Sequence, residues 1–182
     1  MELVPNQPFD NLLTSNVPIP AWWISRLEQI EDFLDAEVDP MQLHTLATTP
    51  GSRSVRFVTC GQPEPHLRGL ANFNSALGAC DPNAYCRRSE RRQPVLVVLA
   101  GAHGAEIEGI MAALSAISIV ETGVDLAGND QAALAEKFRR LRLIVIPLAN
   151  PDGRARVPYD GWLGLPIAEM HRVSQGTRRD GT

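Results

Sequence analysis

His103 and Glu106 stand three positions apart in the segment Val95-Leu-Val-Val-Leu-Ala-Gly-Ala-His-Gly-Ala-Glu106, and both carry side chains that bind metal ions. Residues three apart share one face of a helical turn, so an imidazole nitrogen and a carboxylate oxygen can converge on one zinc ion at roughly 2.0–2.2 Å. Glu108 is the poorer partner. At 100° per residue it falls about 140° from His103, against about 60° for Glu106. The pair also has an ordinary reading, a surface histidine beside a carboxylate that the positive end of a helix favours.

A second motif follows in Leu143-Ile-Val-Ile-Pro-Leu-Ala-Asn-Pro-Asp-Gly153, an apolar run that ends in turn-forming residues. Gly-Ala-His-Gly-Ala-Glu followed downstream by Asn150-Pro-Asp-Gly-Arg154 resembles the zinc carboxypeptidase family. That resemblance implies a zinc-dependent metallocarboxypeptidase hydrolysing C-terminal peptide bonds, with His103 and Glu106 as two of three protein ligands to the zinc. It implies a peptide substrate whose terminal carboxylate is gripped by arginine; Arg154 and Arg156 stand close enough after the turn to be candidates, with solvated loop arginines as their ordinary reading. The helix near residues 21–36, the arm at 43–60 and the later strands with their helices follow the family's order. The resemblance stops at about the family's midpoint. No clear counterpart of the second histidine ligand, the Asn-Arg pair or the general-base glutamate follows the turn, and His171 is the only later histidine. The catalytic base is therefore unassigned. The expectation is the N-terminal portion of a zinc carboxypeptidase-like domain over residues 21–182, apparently truncated, after an extended arm at 1–20. Two alternatives stand beside it: a zinc deacylase of small N-acyl amino acids, and a truncated copy without catalysis.

The elements that must position these residues are legible in outline. Trp23, Leu27, Ile30 and Leu34 recur at helical spacing after Pro20 and before Asp39-Pro40. Trp22-Trp23 reads as core packing rather than as a ligand platform. Leu43–Ala47 and Val55–Thr59 bracket a turn at Pro50-Gly51-Ser-Arg53 and predict a hairpin. Residues 61–93 read as a long loop-like insertion. Val95–Leu99 is apolar throughout, as in a strand buried on both faces. Ile107, Ile110, Met111, Leu114 and Ile117 then form one helical stripe, and Gly109 suggests close packing of that helix on the sheet. A second helix with Leu134, Phe138 and Leu141 inward, capped by Asn129 or Asp130, precedes the strand Leu143–Pro147. Strand, helix, helix, strand predicts a parallel pair within a mixed, largely parallel sheet flanked by helices, an α/β fold with its chemistry at the strands' C-terminal ends. Asn150 and Asp152 read as structural groups that bond the backbone of their own turn.

Composition narrows the function. The 182 residues are 44% hydrophobic, enough for the core of one ordinary domain, and a net charge of −4 gives no reason to expect nucleic acid or an anionic membrane as partner. No apolar run approaches the length of a membrane span, and no signal-peptide pattern opens the chain, so a cytoplasmic location is expected. Three cysteines, Cys60, Cys80 and Cys86, cannot all pair with one another. No Gly-x-Ser-x-Gly elbow exists, and Lys137 lies outside any phosphate-binding glycine context, which sets aside serine hydrolases and nucleotide binding. The sequence does not address oligomeric state.

Overall fold

The computed structural model describes residues 20–39, 42–62 and 94–156. All but the last residue of the expected arm at 1–20, most of the insertion at 61–93, Cys80, Cys86 and His171 therefore lie outside the described residues. The described elements are helix α1 (Leu27–Glu37), strands β1 (Leu43–Thr48), β2 (Ser54–Cys60) and β3 (Val95–Leu99), helices α2 (Ile107–Thr122) and α3 (Ala132–Arg139), strand β4 (Arg142–Ile146) and the short helix α4 (Pro151–Arg156).

The strands form a four-stranded mixed sheet in the order β1-β2-β4-β3. β1 and β2 make the predicted antiparallel hairpin, and β4 is the pivot of the sheet. It pairs antiparallel with β2 and parallel with β3, with Leu99 opposite Ile146 at the parallel pair's C-terminal end. The expected parallel pair is thus present, but it is one of three pairings among the described strands. The hairpin accounts for the difference, because it inserts β2 against β4 in the reverse direction.

One face of this sheet holds the core. Val58 opposite Val145 and Cys60 opposite Leu143 put four inward side chains on one side, since strand residues alternate between faces. Ile30, Phe33 and Leu34 of α1 and Ile110, Ala113, Leu114 and Ile117 of α2 pack onto them. The predicted α2 stripe is buried as expected. Arg56 on β2 ties α1 down at two points one helical turn apart, Glu31 and Asp35. Cys60 is a free, buried thiol; burial pushes its pKa up to about 11, the nearby Glu121 adds to this and Arg142 opposes it, so it stays protonated and inert at neutral pH.

Several expectations change here. β3 is not buried on both faces: Val97 is 55% and Leu99 59% exposed, since β3 ends the row of described strands and its outward face is uncovered among the described residues. α1 starts at Leu27 rather than near Pro20, whose carbonyl instead accepts the Trp23 amide in a turn. Trp22 is exposed and meets Trp23 edge to face, so the pair lies outside the core. Ala135, not Leu134, is the buried residue of α3. Asp130 does serve its N-terminus by accepting the Ala132 amide, while Asn129 donates to Asp125. Gly109 is not needed for close packing, because an added Cβ would meet only the Ala100 Cβ, at 3.8 Å. No helix of the described residues is long and apolar enough to cross a membrane.

Candidate metal centre

The parallel pair keeps its hydrogen bonding after both strands end. The Ala100 amide donates to the Ile146 carbonyl, Ala149 to Ala100 and Asn150 to Gly101, each at 2.9–3.0 Å. The residues leaving β3 therefore run beside those leaving β4. This brings the His103 segment against the Asn-Pro-Asp-Gly motif, about fifty residues apart in sequence. Gly101 makes the exit possible: its φ of +62° is one that side chains disfavour, and a Cβ would lie 2.8 Å from Leu148.

His103 and Glu106 converge. His103 Nδ1 lies 2.7 Å from Glu106 Oε1, both side chains are about half exposed, and the Glu106 amide donates to the His103 carbonyl. They sit in the tight turn that precedes α2, with Glu106 at its N-cap position, rather than on a turn of the helix itself. The spacing of three works for a related reason, as the bend folds the chain back within one turn. The donor set suits zinc. An imidazole nitrogen and a carboxylate oxygen are both donors that zinc accepts, and these two lie close enough that one ion could be held between them after a small opening. Among the described residues no group of three or more histidine, cysteine or carboxylate side chains meets, so the approach seen here is one of two donors.

The Asn-Pro-Asp-Gly residues form the start of α4 rather than a free turn. Asn150 caps it, its Oδ1 accepting the Gly153 amide at 2.8 Å, and Pro151 occupies a first-turn position where its missing N–H costs nothing. Asn150 is thus structural as expected. Asp152 is structural in an unexpected direction: its carboxylate accepts from the Thr49 hydroxyl, the Gly51 amide and the Arg53 guanidinium, all at the hairpin tip. Burial alone would raise its pKa, but the Arg53 hydrogen bond and those of Gly51 and Thr49, with the Arg53 charge, outweigh this and hold it below the usual carboxylate range.

A carboxylate whose folded pKa is depressed contributes stability that is present above its unfolded pKa and lost as pH falls through the folded one. Asp152→Asn is therefore expected to lower the melting temperature at pH 7 by roughly 2–4 °C, for about 1 kcal/mol at a solvent-screened site. The gap between wild type and variant should close as pH falls below about 4. Thermal melts in which the gap stays unchanged from pH 7 into the acid range below about 4 would assign the loss to something other than the charge.

The two arginines separate. Arg154 is 2% exposed, and its Nη1 donates to the Gly104 carbonyl at 2.6 Å; burial lowers its pKa from the usual arginine value. Arg156 is exposed and lines a cleft of about 190 Å³ with Pro50, Gly51, Arg53, Asp152 and Ala155. The burial of Arg154 had no local signal in the sequence, since neighbouring Arg-Ala-Arg residues look alike until the opposing loop is in place.

The structure is thus an α/β arrangement, a mixed sheet flanked by helices, in which an imidazole and a carboxylate meet where the parallel pair ends. The chain belongs to the zinc carboxypeptidase family, peptidase M14, which it matches over residues 27–179. None of the curated proteins matches it significantly.

Proposed function

We propose that His103 and Glu106 supply two donors to a zinc ion in a metallocarboxypeptidase that removes residues from the free C-terminal end of peptides. The observation that carries this reading is the 2.7 Å approach of His103 Nδ1 to Glu106 Oε1 at the C-terminal end of the parallel strand pair, in a chain of the zinc carboxypeptidase family. His103 and Glu106 would hold the ion, which would supply Lewis-acid chemistry for activating water and polarising a carbonyl. The protein's own part is to hold the imidazole and carboxylate together, half exposed, where a peptide can approach. Arg156, at the surface of the cleft between the hairpin tip and α4, is the candidate to pair with a substrate carboxylate, for which a guanidinium fork is well matched.

The test of substrate class compares a peptide bearing a free C-terminal carboxylate with its amidated counterpart, in the presence of zinc. Cleavage of the first and sparing of the second is expected, since an amide offers no charge to the clamp. Equal rates on the two would replace this reading with an endopeptidase, and turnover confined to small N-acyl amino acids with a deacylase.

A further inference from the structure

The carbonyls on either side of His103 are both held by side chains of the Asn150–Arg154 motif. Asn150 Nδ2 donates to the Ala102 carbonyl at 3.3 Å, and Arg154 Nη1 donates to the Gly104 carbonyl at 2.6 Å. The second bond is short and charge-assisted, the stronger kind. It is also costly to build, because a guanidinium at 2% exposure has given up its water. Arg154 and Ser25 are the polar residues buried to that degree among the described ones, so this burial is a particular feature of the site. The two segments also touch directly: an added Cβ on Gly104 would lie 2.3 Å from the carbonyl carbon and oxygen of Gly153. A peptide gripped on both sides cannot swing, and the ring of the residue between them inherits that rigidity.

We propose that Arg154 is a positioning residue for the metal centre: from beneath the turn it fixes the Gly104 carbonyl, and through it the His103 peptide, so that Nδ1 faces Glu106. It does not contact substrate. This assigns Arg154 a different role from its neighbour Arg156 and makes the Asn-Pro-Asp-Gly-Arg stretch the bed of the histidine turn. The inference rests on the zinc reading above.

The experiment measures zinc affinity of the full chain by competition with a chelating dye, and the melting temperature without metal, for wild type, Arg154→Met, Arg154→Lys and His103→Ala. Outer groups that orient a metal ligand typically carry a tenfold to hundredfold share of affinity. Arg154→Met is expected to weaken zinc binding at least about tenfold in a chain that still folds, its metal-free melting temperature falling by a few degrees for the Gly104 carbonyl left without its donor. Arg154→Lys, which keeps a charged donor but not the planar fork, should recover part of the loss. Should the Met variant fail to fold, the Lys variant alone decides, with weaker zinc binding than wild type expected. Wild-type affinity in a folded Arg154→Met, or in Arg154→Lys where only that variant folds, overturns the positioning role and leaves the zinc reading standing. His103→Ala binding zinc as tightly as wild type overturns the zinc reading, and this inference with it.

Discussion

Replacing His103 by alanine should reduce bound zinc from about one ion per chain to near zero after dialysis against metal-free buffer, with loss of any zinc-dependent hydrolysis. The size of the effect follows from the number of donors. With two protein donors converging at the turn before α2, removing one leaves Glu106 alone there, and a lone surface carboxylate does not retain zinc. The fold should be indifferent to the change, because the His103 side chain is 46% exposed and such substitutions usually alter stability by less than about 0.5 kcal/mol. Metal analysis beside a thermal melt therefore separates the two causes. A variant that keeps its zinc would return His103 and Glu106 to a surface ion pair beside a helix start.

The second large effect is expected at Gly104. A Cβ there would stand 2.3 Å from two backbone atoms of Gly153, which cannot rotate aside as a flexible side chain would. Gly104→Ala must push the histidine turn and α4 apart. We expect a loss of about 3 kcal/mol, the upper part of the range for overpacking, or roughly 6–12 °C in melting temperature for a chain of this size. Gly109→Ala is the matched control five residues on. Its Cβ has room, and removing a glycine from a helix should stabilise by about 0.5 kcal/mol. Equal responses of the two variants to heat would show that the contact between the two loops is looser than described.

This pair of glycines also shows what a sequence yields and what it withholds. The helical stripe from Ile107 to Ile117 and the hairpin around Gly51 were readable because periodicity and turn chemistry are local properties. The convergence of His103 and Glu106 was readable for the same reason, although a bend rather than a helical turn produces it. Close approach is a property of two segments. A glycine inside a helix pattern suggested it at Gly109, whereas the demanding contact falls at Gly104, against the first turn of α4 some fifty residues away. Asp152 was read as bonding its own turn and instead reaches the hairpin tip, about a hundred residues earlier. The apolar run Val95–Leu99 was read as covered on both faces, but hydrophobicity records only what a strand could bury. Arg154 was read with Arg156 as a candidate for the substrate carboxylate, but it is buried and donates to the Gly104 carbonyl, a contact that only the opposing segment reveals.

The most direct measurement is the ¹⁵N resonance of the His103 imidazole during zinc titration of the full chain, assigned by its disappearance in His103→Ala. Coordination at Nδ1 should shift that nitrogen strongly and fix the ring in one tautomer, with the change saturating as the zinc binds. If zinc binds to the protein and the His103 nitrogens do not move, the metal lies elsewhere and the His103–Glu106 centre does not exist.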